Sequence, residues 1–227
     1  MKPENINHPV LKFIVEEDIA KDDFYALVAE YHQMILLYES AVKQLTTKFE
    51  IFNQEYKMRG ARNPIETVKS RVKGPESIVR KMKKYGFEKS LESIVLNLND
   101  VAGVRVICSY VSDIYLVRDM LLAQKDVTLV EERDYIKSPK GNGYRSLHLI
   151  IEMPVYLTKT VCKVKAEIQI RTIAMDFWAS LEHNIRYKAA DAFPPEVVKE
   201  LRDCAEIIAV TYRRMEAIAH KLQQGLH

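Results

Sequence analysis

A run of alternating polar and apolar residues, KVKAEIQIR, brings one carboxylate together with several basic side chains. Successive side chains of a strand point to opposite faces, so one face carries Glu167 with Lys163, Lys165, Gln169 and Arg171. A carboxylate in such a row is a candidate catalytic group. The same alternation is typical of the solvated outer face of an antiparallel sheet, and the pattern alone favours that interpretation.

A second candidate is the glycine-containing loop KSPKGNGYR, which lies between two predicted strands. Glycines let the backbone approach a ligand, lysines such as Lys140 attract phosphate, and the ring of Tyr144 offers a flat face to a base. The Asn142 and Gly143 pair is also the strongest short signal for an ordinary hairpin. A turn alone does not explain the spacing of Tyr144 and His148.

A third candidate is the basic stretch RVKGPESIVRKMKKYG. Arg71 and Lys73 precede its predicted helix, while Ser77 and Lys81 lie four residues apart and share one helix face. These side chains and the helix N-terminus could together hold a polyphosphate. A solvated basic face uses the same residue types, so both interpretations stay open, and the glycine-rich P-loop pattern is absent from this stretch.

A fourth candidate is Asp100, which ends the polar segment NLND at the entrance to the predicted strand VAGVRVIC. An acid in this position can bind Mg²⁺, an ion that prefers few carboxylates together with waters and phosphate oxygens. An aspartate in a simple turn gives the same pattern, and for this residue alone the turn is the commoner explanation.

Periodicity predicts the elements that must position these residues. Apolar residues at spacings of three and four predict a long amphipathic helix over 22–57, and Gly74 and Pro75 open a short helix that ends before Gly86. Strands are predicted in VAGVRVICSY, VTLVEERD, RSLHLIIEM and TVCKVKAEIQI, and further helices in SDIYLVRDMLLAQ, TIAMDFWASLEHNIRYK and from Pro195 to Leu226. The order of these elements predicts a sheet covered by helices.

Composition narrows the class of protein. The 227 residues are 48% hydrophobic, which suits one large domain with its own core. The net charge of +3 is too small to indicate non-specific nucleic-acid binding, although the basic residues cluster. No apolar run is long enough to span a bilayer and the N-terminus lacks a signal-peptide pattern, so we expect a cytoplasmic protein without a membrane partner. We expect Cys108, Cys162 and Cys204 to serve as small apolar residues.

Taken in order, the segments RVKGPESIVRKM, LNDVAGVRV, RDYIKSPKGNGYRSLH and AEIQIRTIAMDFWASLEH resemble the synthetase domain of the RelA/SpoT homologue family. The resemblance runs from about residue 63 to 188, and in length the chain is similar to the small alarmone synthetases of that family. It implies an α/β fold of the α+β type, with a mixed β-sheet flanked by helices and a nucleotidyltransferase-like core. It also implies an enzyme that transfers pyrophosphate from ATP to the ribose 3′-hydroxyl of GDP or GTP, releasing AMP and forming ppGpp or pppGpp.

The resemblance implies a role for each candidate residue. The ATP site would comprise two arginines that sandwich the adenine and three phosphate contacts: Arg71 and Arg105, then Lys73, Ser77 and Lys81. Asp100 would bind Mg²⁺, and Glu167 would be the catalytic carboxylate that also helps to position the ion. The GDP or GTP site would comprise Lys140, Asn142, Tyr144, His148 and Gln169, with Tyr144 stacked on guanine.

The resemblance also suggests an organisation for the chain, with an N-terminal helical segment at 1–62, the synthetase core at 63–190 and a C-terminal helical segment at 191–227. Small members of the family are typically homotetramers, so we expect a homotetramer. Residues 1–62 contain no His-Asp pair, so no alarmone hydrolase activity is expected, and the scattered lysines of SAVKQLTTKFEIFNQEYKM do not indicate an allosteric pocket. Two alternatives stay open: a toxic relative that pyrophosphorylates tRNA, and a non-catalytic RNA-binding regulator.

Overall fold

The computed structural model describes residues 6–15, 19–188 and 193–224. Within them the helices and strands follow in this order: α1 (Pro9–Ile14), α2 (Lys21–Met58), β1 (Ile65–Val72), α3 (Pro75–Tyr85), α4 (Leu91–Asn97), β2 (Ala102–Cys108), α5 (Val111–Leu122), β3 (Thr128–Asp134), β4 (Leu147–Tyr156), β5 (Val161–Thr172), α6 (Ile173–Lys188) and α7 (Pro195–Gln224). The predicted N-terminal segment, synthetase core and C-terminal segment also include residues 1–5, 16–18, 189–192 and 225–227, which lie outside the described residues.

The five strands form one sheet in the order β1-β2-β5-β4-β3. Strands β2 and β5 are parallel and the other three pairs are antiparallel, so the prediction of a mixed sheet flanked by helices is confirmed. Strand β1 was not predicted. Its sequence IETVKSRV buries Ile65 but leaves most other side chains exposed at the edge of the sheet, so it lacks the apolar alternation of a typical strand.

Helix α2 confirms the predicted amphipathic helix and supplies much of the core. It packs against β1, β2, β4 and β5, and its fully buried side chains include Leu45 and Phe49. Helix α5 adds Ile114, Val117 and Leu121 to the same cluster. The core-facing positions of β2, β4 and β5 are occupied by Val104, Val106, Leu149, Ile151, Ile168 and Ile170. Because these positions alternate with the polar ones, the polar residues of β2, β4 and β5 lie on the opposite face of the sheet.

Helix α3 begins and ends at the residues predicted from the sequence, Pro75 and the residue before Gly86. Pro75 occupies the first turn, where its missing N–H costs no intrahelical hydrogen bond. Gly86 follows the last residue with φ of 65°, the left-handed conformation that a helix C-terminus often requires. Helix α6 begins directly after β5, and α7 packs against α6. The two short helices α1 and α4 were not predicted.

The burial of the cysteines tests the expectation that they serve as small apolar residues. Cys108 is buried in β2, as expected of a small apolar residue, but Cys204 is exposed on α7, so that expectation is wrong for Cys204. Burial raises the pKa of the Cys108 thiol far above its ordinary value.

In the part of the chain that the structure describes, no helix is both long and apolar enough to cross a membrane.

Candidate active site

The register of the sheet gathers polar side chains on the face opposite α2. One row crosses all five strands, since Lys69 pairs with Arg105, Arg105 with Gln169, Gln169 with His148, and His148 with Arg133. Directly paired residues project from the same face, so these five side chains are neighbours. The face that the alternation in β5 suggested to be solvated is therefore a polar cleft, and that interpretation is wrong for Glu167, Gln169 and Arg171.

Glu167 lies in the next row and is largely buried. Its neighbours across the sheet are Gly103 on β2 and Ile150 on β4. His148 Nδ1 lies 3.0 Å from its Oε1, and Gln169 Nε2 donates to its Oε2 at 3.0 Å. Burial by itself would raise the pKa of this carboxyl, but the hydrogen bond and charge interaction with His148, together with the hydrogen bond from Gln169, outweigh burial and lower the pKa. Glu167 is therefore ionised and able to accept a proton.

A chain of hydrogen bonds leads to Glu167 from the end of β5. Arg171 Nη2 donates to the Tyr144 hydroxyl at 2.6 Å, and that hydroxyl lies 2.7 Å from His148 Nε2. The two nitrogens of the His148 ring thus link the Tyr144 hydroxyl to the Glu167 carboxylate. The buried guanidinium of Arg171 anchors the other end of this chain.

Asp100 is the second carboxylate of the cleft and is paired with two lysines. Lys73 Nζ lies 2.6 Å from Oδ2 and Lys81 Nζ lies 2.8 Å from Oδ1. Burial would raise the pKa of Asp100, whereas the hydrogen bonds and charges of Lys73 and Lys81 lower it, and the net shift is downward. The basic stretch before and within α3 is therefore directed at this carboxylate, so the interpretation of a solvated basic face is wrong for Lys73 and Lys81.

Two adjoining cavities contain the residues predicted to bind ATP. A cavity of about 180 Å³ is lined by Arg71, Asp100, Arg105, Glu167 and Gln169, with Lys69, Ser70, Gly103 and Val104. A neighbouring shallow one is lined by Lys73, Ser77, Arg80, Lys81, Lys84 and Tyr85. Arg105 Nη1 donates to Asp176 at 3.2 Å, while its buried Nε has no hydrogen-bond partner among the described residues. Burial, and then the charge of Arg171, lower the pKa of Arg105.

The loop before β4 places Lys140 between two aromatic rings. Its Nζ lies 4.5 Å from the centroid of the Tyr135 ring and 4.9 Å from that of Tyr144. Asn142 is the one predicted site residue that the structure does not bring into the cleft. Its Oδ1 accepts from the Tyr144 backbone N–H at 3.2 Å, and its Nδ2 contacts Glu182 on α6 at 3.3 Å. The side chain of Asn142 therefore shapes the loop.

Four residues of the cleft were not assigned from the sequence. Arg133 lines a cavity together with Asp100 and Glu167, and Tyr135 packs against His148. Arg171 and Asp176 are joined by a 3.2 Å ion pair at the junction of β5 and α6. Arg133, Tyr135 and Arg171 lie within the motifs or the polar face that the sequence singled out. Asp176 also lies within one of those segments, AEIQIRTIAMDFWASLEH, but its contact with Arg105 joins residues that are distant in sequence.

The two carboxylates suit one type of metal ion. Asp100 and Glu167 both line the 180 Å³ cavity, and the charge of Asp100, like burial, acts to raise the pKa of Glu167 against the effects of His148 and Gln169. Among the described residues no group of three or more His, Cys, Asp or Glu side chains could hold a metal. Mg²⁺ is commonly held by one or two carboxylates together with substrate phosphates, so this pair fits Mg²⁺ and not an ion that needs a full set of protein ligands.

Comparison with known sequences places the chain in a family. The profile described as a region found in RelA / SpoT proteins matches residues 70–192, more than half of the chain. The chain belongs to the RelA/SpoT family. The region that defines membership in this family contains all of the predicted site residues, from Arg71 to Gln169.

Individual RelA/SpoT relatives are similar over most of the chain. GTP pyrophosphokinase YwaC of Bacillus subtilis is 52% identical over 186 residues, which covers 82% of this chain and 89% of YwaC. The crystal structure of small alarmone synthetase 2 from B. subtilis has 49% identity and a TM-score of 0.77, covering 85% of this chain and 99% of that one. Small alarmone synthetase 1 from B. subtilis, bound to its product pppGpp, has 36% identity and a TM-score of 0.79, with coverage of 86% and 98%. The resemblance to the small alarmone synthetases is thus confirmed.

The pairing of Asp100 with two lysines leads to a measurable prediction. In Lys73→Met the pKa of Asp100 should rise, because a hydrogen bond and a positive charge are lost while the burial that disfavours the ionised form stays. Titration of the Asp100 carboxyl carbon by NMR in nucleotide-free protein measures this shift. Lys69→Met is the control, since Lys69 lines the same cavity without an ion pair to Asp100 among the described contacts. An unchanged midpoint in Lys73→Met contradicts the assignment.

Proposed function

We propose that the chain is a GTP pyrophosphokinase, which transfers the β,γ-diphosphate of ATP to the ribose 3′-hydroxyl of GDP or GTP and forms ppGpp or pppGpp with AMP. The observation that carries this proposal is the carboxylate of Glu167, held by contacts with His148 and Gln169 at 3.0 Å in a cleft between two groups of cationic side chains. The name of YwaC and the product bound to small alarmone synthetase 1 support the same reaction.

The donor nucleotide would lie over β1 and β2. Arg71 and Arg105 line one cavity and present guanidinium planes on which the adenine can stack. Lys73, Ser77 and Lys81 line the adjoining cavity and would receive the phosphates. Phosphates that approach Lys73 and Lys81 compete with Asp100 for the same ammonium groups. The present ion pairs therefore pre-position these lysines until the nucleotide arrives.

Mg²⁺ would be held by Asp100, assisted by Glu167. When bound, the ion neutralises charge on the transferred phosphate oxygens, which is a large part of what phosphoryl-type transfer requires. The protein supplies the rest. Arg71, Lys73 and Lys81 hold the donor in place. Glu167 accepts the proton of the acceptor 3′-hydroxyl as that oxygen bonds to the β-phosphorus, and the bond from the β-phosphorus to the oxygen bridging it to the α-phosphate breaks, so that AMP leaves.

The acceptor nucleotide would lie beside β4 and the loop before it, where Tyr144 offers its ring to guanine and His148 and Gln169 line the position of the ribose. Because Lys140 now lies between the rings of Tyr135 and Tyr144, stacking of guanine requires its ammonium to move, and the acceptor phosphates provide its new partner. We propose an indirect contribution for Asn142, through the shape of the loop.

Incubation of purified protein with labelled ATP and an acceptor, followed by thin-layer chromatography, tests the function. We expect labelled ppGpp or pppGpp with GDP or GTP and no labelled product with tRNA. Labelled tRNA alone would identify a tRNA-modifying enzyme. RNA binding without any product would identify a regulator.

The substitution Glu167→Gln tests the general base. It preserves the size of the side chain and removes its charge, so turnover should fall roughly 10²- to 10⁴-fold, with smaller changes in the KM of either nucleotide. Glu152→Gln is the matched control, since Glu152 pairs with Lys163 at 3.0 Å, outside the cleft, and should keep wild-type turnover. Retention of more than about a tenth of wild-type turnover by Glu167→Gln would return this residue to a structural role.

Two substitutions at Tyr144 separate stacking from hydrogen bonding. Tyr144→Ala removes the ring and should weaken GDP or GTP binding by about 1–3 kcal/mol, while ATP binding changes little. Tyr144→Phe retains the ring and loses only the hydroxyl between Arg171 and His148, so acceptor affinity should fall less. Isothermal titration calorimetry measures both nucleotides. Equal losses of ATP and GDP affinity in Tyr144→Ala would show that this residue does not belong to the acceptor site.

We further propose that the protein is a homotetramer. Large apolar side chains are exposed on α2, α6 and α7, on faces that the described part of the chain does not cover: Leu36, Ile51, Phe177, Leu181, Ile207, Met215, Ile218 and Leu222. Multi-angle light scattering should give about four times the 26.3 kDa mass of one chain. A monodisperse monomer at micromolar concentration would contradict this assignment.

A further inference from the structure

The loop that carries Lys140 and Tyr144 is held from outside the cleft by helix α7. Within the loop, the Gly143 N–H donates to the Lys140 carbonyl at 2.8 Å, and the Lys140 N–H donates to the Tyr144 carbonyl at 3.1 Å. These two hydrogen bonds close the turn but do not fix its position relative to the sheet. Its position is restrained by the hydrogen bonds of Tyr144 with Arg171 and His148 in the sheet and by the contact of Asn142 with Glu182 on α6. Further restraint comes from α7, through Arg202, 61 residues after Gly141 in the chain, and its neighbours on that helix.

Side chains of α7 hold this loop through hydrogen bonds at two points. Arg202 Nε donates to the Gly141 carbonyl at 3.0 Å, and Glu206 accepts from Arg145 Nη2 at 2.6 Å. Arg145 in turn donates from Nη1 to the Gly143 carbonyl at 3.2 Å. Two side chains, one helical turn apart on α7, therefore restrain the loop on both sides of Gly143.

The third contact is a close approach between the helix and Gly143. A Cβ atom at Gly143 would lie 2.6 Å from Ala205 Cβ and 3.1 Å from Arg202 Cα, and the φ of 90° is one that residues with side chains rarely adopt. Only glycine fits the loop against α7 at this distance.

Helix α7 is itself anchored beside the acceptor residues. Trp178 Nε1 on α6 donates to the Leu201 carbonyl at 3.0 Å. The ring of Tyr144 packs against the small apolar cluster of Trp178, Ala179 and Ala205. Tyr144 is thus supported directly by residues of α6 and α7.

We infer that α7 is a positioning element for the acceptor nucleotide, in which Arg202 and Glu206 hold the loop so that Lys140 and Tyr144 face the cleft. This inference rests on the proposed function and adds a determinant of acceptor binding outside the cleft. The lysine and arginine residues of the donor site lie on β1, β2 and α3 or directly between them, and the contacts of Arg202 and Glu206 do not involve these elements. Loss of these contacts should therefore affect one nucleotide only.

The test is the double variant Arg202→Ala/Glu206→Ala, which removes the donor to Gly141 and the acceptor for Arg145; both changed side chains are exposed and the core is untouched. The KM for GDP or GTP should rise about three- to tenfold, as expected for two lost hydrogen bonds, while kcat and the KM for ATP stay close to wild type. Hydrogen exchange at the amides of residues 140–146 should also become faster in the nucleotide-free protein. Arg214→Ala/Glu200→Ala is the matched control, since these exposed residues of α7 make no hydrogen bond to the loop among the described contacts.

The outcomes separate this inference from the proposed function. If wild type makes no pyrophosphorylated guanine nucleotide, the proposed function fails and the acceptor role of α7 fails with it. If wild type is active but the double variant keeps its acceptor KM and its exchange rates, only the inference on α7 is overturned. Equal increases in the KM of both nucleotides, or the same increase in the control variant, also overturn it, because they indicate a general loss of structure.

Discussion

Two carboxylates must remain ionised beside one half-buried cleft, and the arrangement of the site follows from that requirement. Burial favours the neutral form of both Asp100 and Glu167, and the charge of Asp100 further disfavours ionisation of Glu167. Different partners offset the unfavourable effect of burial on each ionised carboxylate. Two lysine ammonium groups stabilise Asp100, whereas hydrogen bonds from His148 and Gln169 stabilise Glu167. Asp100 thus lies among cations that phosphates can draw away, while Glu167 keeps its hydrogen-bond donors in the sheet. This difference suits a metal ligand and a proton acceptor.

The partners of Asp100 and Glu167 are placed by the register of the sheet. Apolar packing on the opposite face of the sheet fixes that register. Alternate residues of β2, β4 and β5 are buried under α2 and α5, and a shift of one residue would move them into the cleft. The register that buries Ile168 and Ile170 is therefore the same one that places Glu167 beside Gly103 and Gln169 beside Arg105 and His148. Hydrophobic burial sets the positions of the charges, although no charged residue of the cleft contributes to that core.

Local sequence patterns predicted α2, α3 and the four strands β2 to β5, because each has a clear period or terminal residues with one structural meaning. They did not predict β1, whose exposed edge position removes the alternation that identifies a strand. The same limit explains the error at β5. Alternation shows that a strand has a polar face, but whether water or protein covers that face depends on α6 and the loop before β4, which no pattern within β5 describes. The side chain of Asn142 also turns toward Glu182, a contact that no local motif contains.

Asp176 physically joins the proposed donor and acceptor halves of the cleft. Its Oδ1 accepts hydrogen bonds from both Arg105 Nη1 and Arg171 Nη1, each at 3.2 Å. Arg105 lines the donor cavity, whereas Arg171 begins the hydrogen-bond chain that passes through Tyr144 and His148 to Glu167. The two guanidinium groups repel each other and are held together by this one carboxylate. The positions of Arg105 and Arg171 therefore depend on the same acceptor atom, although the two arginines lie on different strands and serve different parts of the cleft.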